Sequence, residues 1–184
     1  TGPDGATHQA LEDIAITRVL PNLTVIVPCD SEEMRKATVA SAKHKGPVYL
    51  RGSRAKTPVI TSKETSFEIG KANILDKGDD LTIIACGICV QFAIEAKKEL
   101  LKKGIDAAVV NSHTIKPLDE KTVLEYAKRT GAIITIEEHQ KTGGLGSAVA
   151  ELICQKYPVP LEIIGVDDTF GESGEDSELL EKYN

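Results

Sequence analysis

Residues 81–111 read LTIIACGICVQFAIEAKKELLKKGIDAAVVN, in which two apolar, β-branched runs flank an amphipathic run. This pattern predicts a strand, a helix and a second strand, the unit from which parallel sheets are built. The pattern repeats, with strands predicted at about 81–86, 106–111, 132–137 and 161–166 and helices near 89–103, 119–130, 146–157 and from about 176. The sequence therefore predicts an α/β fold with mainly parallel sheets.

The first third of the chain shows the same alternation in a shorter form. A strand is predicted over 23–27, a helix from Ser31 to about His44 with an Asp30-Glu33 capping box, and a strand over 48–50. Before them, Thr7 is predicted to cap a helix that Pro21 ends. The apolar stripe of that helix consists of Leu11, Ile14, Ala15 and Val19.

A stretch rich in Thr, Ser and Lys, residues 55–66 (AKTPVITSKETS), separates these two regions. It contains Pro58 and lacks helical periodicity, which is typical of a linker between packed units. The sequence thus predicts two units, 1–66 and 67–184. Each is a three-layer α/β unit, and the first is incomplete.

Composition places the chain among ordinary globular proteins. It has 184 residues, 41% of them apolar and 27% charged, with a formal net charge of −6. The acidic balance argues against nucleic acid as a partner. No apolar run approaches bilayer length and no signal peptide opens the chain, so we expect a cytoplasmic protein with no membrane partner and with reduced cysteines. The absence of an initial Met suggests a processed, truncated or partly recorded polypeptide.

Two polar segments contain side chains that could take part in binding or catalysis. Asp4 and His8 stand in a glycine-containing turn, and this pair could orient hydroxyl groups and move protons. The alternative is a solvated turn. Arg51, Ser53 and Arg54 follow a predicted strand, where ligands of parallel α/β sheets bind.

Several motifs together resemble the transketolases, the thiamine-diphosphate-dependent ketol transferases. The resemblance is collinear and covers nearly the whole chain. It extends over the second half of the family's pyrimidine-binding domain and most of its C-terminal domain. The motifs are DGATHQALED (4–13), PNLTVIVPCDSEE (21–33), PVYLRGSR (47–54), HTIKPLDEKTV (113–123), EEHQKTGGLGSAVAE (137–151) and FGESG with ELLEKY (170–183).

The resemblance implies transfer of a two-carbon ketol unit between sugar phosphates, as in the pentose phosphate pathway. The resemblance implies that Asp4 contacts the C2 hydroxyl of the substrate and that Arg54 contacts the phosphate. It implies that His8 contacts the C1 hydroxyl or carbonyl region and assists proton transfer. Ser53 and Arg51 are predicted at the same phosphate-binding strand end. Arg51 could instead pair with a structural carboxylate.

The resemblance also implies thiamine diphosphate and Mg²⁺ as cofactors, but it assigns no cofactor or metal ligand to this chain. In the family the cofactor-activating glutamate lies upstream of the matched segment. We therefore expect a homodimer or a companion subunit that carries the diphosphate-binding domain, and a chain that is inactive alone. The sequence does not decide among a separate subunit, an unrecorded portion and proteolysis.

Four alternatives remain open from the sequence. One is the related enzyme 1-deoxyxylulose-5-phosphate synthase, although TIKPLD and YLRGSR are more typical of transketolases. A second is a thiol oxidoreductase that uses Cys86 and Cys89, a C-x-x-C pair at a helix start. A third is an assembly module without chemistry. The fourth is a nucleotide site at the Gly143-Gly144-Leu145-Gly146 turn, which we interpret instead as tight strand–helix packing. We expect structural roles for His44 and His113, and an interface or structural role for His139.

Overall fold

The computed structural model describes residues 4–54 and 56–183, which contain eight strands and six helices. The strands are β1 (Thr24–Ile26), β2 (Val48–Leu50), β3 (Asn73–Asp76), β4 (Leu81–Ala85), β5 (Ala107–Asn111), β6 (Thr114–Lys116), β7 (Ile133–Gln140) and β8 (Leu161–Val166). The helices are α1 (Asp13–Arg18), α2 (Ser31–Lys43), α3 (Cys89–Lys102), α4 (Glu120–Thr130), α5 (Leu145–Lys156) and α6 (Asp176–Tyr183).

These strands form two sheets, one of three strands in the order β2-β1-β6 and one of five in the order β3-β5-β4-β7-β8. The pairs β1–β2, β4–β5, β4–β7 and β7–β8 are parallel, and only the edge strands β6 and β3 run antiparallel to their neighbours. The predicted α/β fold with mainly parallel sheets is confirmed.

The central strands of the larger sheet are apolar on both faces, as expected for a sheet covered by helices on either side. Ile83 and Val109 pack with Val90 of α3 in one cluster. Ile84 and Val110 face a second cluster that includes residues of α4 and α5 and also Val25 and Val27, which belong to or directly follow β1. The two sheets therefore share one of their apolar cores.

Two short strands, β3 and β6, were not predicted. β6 follows β5 after only two residues, yet it pairs with β1, about ninety positions earlier in the chain. Strands of three or four residues carry little periodicity, and their existence depends on a partner that is remote in sequence. As a result, residues on both sides of position 66 contribute to the smaller sheet.

The predicted start of the first helix is wrong. The helix begins at Asp13 rather than near Thr7, and Glu12 stands at its N-cap without a side-chain capping bond. The Thr7 hydroxyl lies 2.9 Å from Nδ1 of His8, so it does not cap a helix. Val19, the last member of the predicted stripe, is 76% exposed. Residues 4–12 therefore form an irregular loop, which we call the opening loop.

Asp30 caps α2 as predicted and also binds the segment that precedes β3. One carboxylate oxygen accepts from the Glu33 N–H at 2.8 Å, and the other accepts from the Ile60 N–H at 2.7 Å and from the Thr61 N–H. Burial raises the pKa of Asp30, but these backbone donors outweigh it and hold the pKa below its usual value. Glu33 reaches back to the Cys29 N–H at 2.8 Å, one residue beyond the expected capping-box partner.

Candidate active site

A polar cavity of about 200 Å³ lies where β2 ends, between the opening loop and the end of β7. The carboxyl ends of the parallel strands β1 and β2 are on the same edge of the smaller sheet, which is where ligands of such sheets bind. All five predicted site residues line this cavity. Its lining residues are Asp4, His8, Ala10, Asp13, Tyr49, Leu50, Arg51, Gly52, Ser53, Arg54 and Glu138.

Three of the predicted residues have largely accessible side chains at the mouth of the cavity. Arg54 forms an ion pair with Asp4, and their side chains are 65% and 39% exposed. His8 is exposed, and its ring Nδ1 is within hydrogen-bond distance of the Thr7 hydroxyl. An imidazole, a carboxylate and a guanidinium therefore face one solvent-open space. Such a set can bind an anion at one end and hydroxyl groups at the other.

Arg51 lies deeper and is already engaged by the protein. Its Nε donates to Asp13 Oδ2 at 3.0 Å, and its Nη2 donates to the carbonyl oxygens of Ala10 at 2.7 Å and Glu138 at 3.0 Å. Nη1 lies 3.6 Å from Oε2 of Glu138. These contacts match the interpretation of Arg51 as an ion-pair residue that forms the cavity wall. Direct contact of Arg51 with phosphate stays a prediction.

Asp13 and Tyr49 are part of this wall, although neither was predicted as a site residue. The Tyr49 hydroxyl donates to Asp13 Oδ2 at 2.7 Å. Burial and this hydrogen bond raise the pKa of Tyr49 to about 12, so the hydroxyl stays protonated as a donor. Tyr49 lies in the middle of a strand and Asp13 in the first turn of a helix, and only the folded chain brings them together.

The glycine turn before α5 is occupied by a side chain of the protein itself. Gly144 is the N-cap residue and offers no side-chain capping bond. Instead, the buried carboxylate of Glu137 on β7 accepts from the Leu145 N–H at 2.6 Å and the Gly146 N–H at 2.8 Å. Burial raises the pKa of Glu137 to about 7, against the effect of these donors. The helix start is thus capped internally, which agrees with packing rather than with a nucleotide site.

The two fully buried histidines have structural positions. His139 donates from Nδ1 to the Gln140 carbonyl oxygen at 2.7 Å, and its Nε2 accepts from the Ala15 N–H at 3.3 Å. His113 stacks on Phe67 with ring centroids 4.3 Å apart. Burial lowers the pKa of both imidazoles, so both are held neutral. Neither histidine lines the polar cavity.

Cys86 and Cys89 are both only 2% exposed. Burial raises the pKa of each thiol, and the nearby carboxylate of Glu137 adds to the effect. A redox-active C-x-x-C pair needs an accessible thiolate with a depressed pKa. The positions of these two cysteines therefore favour inert core thiols over the thiol oxidoreductase alternative.

We expect one fast-reacting thiol out of four when the folded chain is titrated with an aromatic disulfide reagent. Cys154 is exposed, whereas Cys29, Cys86 and Cys89 are buried and should react only on unfolding. The Cys154→Ser variant is the matched control and should show no fast thiol. Rapid labelling of Cys86 or Cys89, or a bond between them under mild oxidation, would contradict the core assignment.

The described residues do not fit the metal ion that the sequence resemblance implies. Within residues 4–54 and 56–183, no group of three or more His, Cys, Asp or Glu side chains could hold a metal ion. The same ranges include no helix that is long and apolar enough to cross a bilayer. The carboxylate, imidazole and guanidinium groups at the polar cavity can bind and orient a ligand and transfer protons.

The fold and the cavity define a two-sheet α/β protein with a polar cavity at a sheet edge. The family description "Transketolase, C-terminal domain" matches residues 70–184, and "Transketolase, pyrimidine binding domain" matches residues 1–59. The chain belongs to the transketolase family. Its resemblance in sequence to this family is thus confirmed.

Two curated relatives and one solved structure illustrate the match. The 6-deoxy-6-sulfo-D-fructose transketolase subunit SqwH of Clostridium sp. (strain MSTE9) is 46% identical over 98% of this chain and 56% of its own length. An apulose-4-phosphate transketolase subunit of Phocaeicola vulgatus is 42% identical over 99% of this chain and 58% of its own. A structure described as "Split gene transketolase, inactive beta4 tetramer" superposes with a TM-score of 0.91 at 46% identity, covering 97% of this chain and 58% of that one.

The chain therefore spans less than three fifths of the length of these relatives. Synthases of 1-deoxy-D-xylulose 5-phosphate also match, for example that of Desulforudis audaxviator at 40% identity over 99% of this chain and 29% of its own length. The greater identity and coverage of the transketolase subunits favour the transketolase assignment over this alternative.

Proposed function

We propose that this chain is the C-terminal part of a transketolase and that its polar cavity binds the sugar phosphate substrate. The observation that carries the proposal is that Asp4, His8 and Arg54, which lie up to fifty positions apart, line one cavity. In the proposed roles, Asp4 accepts a hydrogen bond from the C2 hydroxyl. His8 contacts the C1 end and transfers a proton, and Arg54 binds the phosphate.

The ion pair between Arg54 and Asp4 can be replaced by contacts with the substrate when the substrate binds. Both side chains are solvent-accessible. Exposed pairs contribute only about 0.2–1 kcal/mol, whereas hydrogen bonds between a guanidinium and a phosphate are charge-assisted and bidentate. A phosphate group can therefore replace Asp4 as the partner of Arg54. The Asp4 carboxylate can then accept a hydrogen bond from a hydroxyl group. Arg51 is bonded to Asp13 and lies close to Glu138, and its contact with the phosphate stays a prediction.

The carbanion chemistry of ketol transfer belongs to thiamine diphosphate, for which the described residues offer no metal-binding group. We propose that a companion polypeptide, or another part of the same protein, supplies the diphosphate-binding domain. The relatives described as a transketolase subunit and as a split-gene transketolase support this arrangement. The chain contributes substrate binding and assembly, and it should be inactive alone.

Reconstitution tests the proposal. The chain is assayed for ketol transfer from a ketose phosphate to an aldose phosphate with thiamine diphosphate and Mg²⁺, alone and with a companion polypeptide that carries the diphosphate-binding domain. We expect turnover only in the mixture. A stable complex without ketol transfer would contradict the proposed function. Formation of 1-deoxyxylulose 5-phosphate from pyruvate and glyceraldehyde 3-phosphate would support the synthase instead.

Substitution of Arg54 should impair phosphate recognition selectively. In the reconstituted enzyme, Arg54→Ala should raise the KM for a phosphorylated acceptor about tenfold to hundredfold, because a charge-assisted contact contributes about 1.5–3 kcal/mol. A non-phosphorylated acceptor should show little change. Arg35→Ala is the matched control, since Arg35 is also exposed and paired, with Glu32 on α2. An equal rise in the KM for both acceptors would show that Arg54 does not bind the phosphate.

A further inference from the structure

The opening loop has no helix or strand of its own, although it carries two of the proposed site residues. Its internal backbone bonding includes a turn in which the His8 N–H donates to the Gly5 carbonyl oxygen at 3.0 Å. Its far end is fixed to β7, where the Gln140 N–H donates to the Leu11 carbonyl oxygen at 2.8 Å. In the half that carries Asp4 and His8, Asp4 pairs with the exposed Arg54.

Gln9 connects this half of the loop to the C-terminal region. Its side chain is only 7% exposed, unusual for a glutamine, and its Nε2 donates to the Glu172 carbonyl oxygen at 2.9 Å. A Cβ atom on Gly171 would lie 1.8 Å from Gln9 Oε1. On the same side, a Cβ on Gly5 would lie 2.8 Å from the Ser173 hydroxyl oxygen. The loop and residues 171–173 are therefore in direct contact.

Residues 169–173 are in turn held by β7 and α6. The Gln140 side-chain amide donates to the Thr169 carbonyl oxygen at 2.6 Å. Tyr183, in the last turn of α6, places its hydroxyl 2.9 Å from Glu172 Oε1, and Lys182 forms an ion pair with the same carboxylate. We call residues 169–183 the C-terminal clamp. It contains the FGESG and ELLEKY motifs, which the proposed chemistry leaves without a role.

Apolar contact reinforces this connection. Leu11 of the opening loop and Leu179 of α6 are both 8% exposed, and they line the same small, partly open pocket as Gln9 and Gly171. A buried amide bonded to a backbone carbonyl and flanked by leucines has few alternative positions, because moving it would break its hydrogen bond with the Glu172 carbonyl oxygen. The clamp thus restricts where the preceding residue, His8, can lie.

We infer that the C-terminal clamp positions the substrate-binding loop through Gln9, so that Gln9 is a positioning residue of the site. This inference rests on the proposed function for its catalytic consequence, but not for the contact itself. Gly171 provides a specific probe. It does not lie in the left-handed region, so an alanine there meets no backbone strain and conflicts mainly with the Gln9 amide.

Hydrogen exchange on the full chain tests the clamp without any assay of activity. In Gln9→Ala and Gly171→Ala, amides of residues 4–10 should exchange at least about tenfold faster than in the wild type, whereas amides of β4 and β5 should not change. Gln155→Ala is the matched control, because the Gln155 amide also donates to a backbone carbonyl, that of Glu151, but at an exposed site on α5. Unchanged exchange of residues 4–10 would overturn the inference, even if the chain proves to be a transketolase.

Kinetics of the reconstituted enzyme test the positioning role. Gln9→Ala should lower kcat about tenfold to hundredfold with a smaller change in KM, because a displaced catalytic group affects the transition state most. Adding Gly171→Ala to Gln9→Ala should cause little further loss of kcat, because the methyl group added at position 171 then no longer meets the Gln9 amide. Faster exchange with unchanged kcat would overturn the positioning role. Absence of ketol transfer by the wild-type complex would count against the proposed function alone, because the exchange result still decides the clamp.

Discussion

Replacing His8 by alanine should lower turnover of the reconstituted enzyme about 10²–10⁴-fold, the usual contribution of a positioned proton-transfer group. Stability should hardly change. The His8 side chain is exposed, and the hydrogen-bond contact described for its ring is with the neighbouring Thr7 hydroxyl. Substitutions at such positions usually alter the free energy of unfolding by less than about 0.5 kcal/mol. Steady-state kinetics and thermal unfolding of the same preparation measure the two effects.

His44→Ala is the matched control for this experiment. His44 is the C-cap residue of α2, its Nε2 lies 3.1 Å from the Thr24 hydroxyl oxygen, and it does not line the polar cavity. Turnover should be unaffected in this variant. A His8→Ala enzyme that loses stability and turnover in parallel, or one that keeps full turnover, would remove His8 from the proposed catalytic group.

A large effect on stability is expected for Gly144→Ala. A Cβ atom at this position would lie 2.0 Å from Glu137 Oε2 and 2.6 Å from its Cδ. The carboxylate would have to leave the start of α5, which would lose two hydrogen bonds with a buried acceptor. We expect a loss of about 3–5 kcal/mol in the free energy of unfolding, measured by urea denaturation.

Gly131→Ala separates this contact from the general cost of removing a glycine. Gly131 caps α4 with φ +70, and a Cβ there meets no atom within 4 Å. Its substitution should cost about 1–2 kcal/mol, from backbone conformation alone. Gly144 has φ −81, so its penalty is steric rather than conformational. Similar losses in the two variants would show that the Glu137 cap does not support the helix.

Sequence periodicity predicted the regular elements well where they are long. β4, β5, β7 and β8 and their helices were predicted to within a few residues, because each carries enough apolar side chains to show its period. The first helix was placed too early because Thr7 has the right chemistry for an N-cap. In the folded chain its hydroxyl lies beside the His8 ring, and Gln9 binds the C-terminal clamp instead.

Some residues of the site were predicted from local motifs, whereas others were recognised only from contacts with residues that are remote in sequence. Asp4, His8 and Arg54 were predicted from motifs, and the fold brings them to one cavity. Asp13, Tyr49 and Gln9 lie inside the quoted motifs but were given no role, because their contacts are with residues that are remote in sequence. Glu137 stands at the end of the predicted strand 132–137 and was given no role, although it caps a helix that starts eight positions later.

The α/β class, the family and the residues that face the substrate in the proposed function could all be read from the amino-acid sequence. The fold class followed from the periodicity of apolar residues, whereas the family and the substrate-facing residues followed from the resemblance of the motifs to transketolases. The folded chain was needed to establish that Arg51 is held by Asp13 and Glu138, that Cys86 and Cys89 are buried, and that the C-terminal clamp holds Gln9. Burial, ion pairing and hydrogen-bond satisfaction depend on partners that are distant in sequence and become neighbours only after folding.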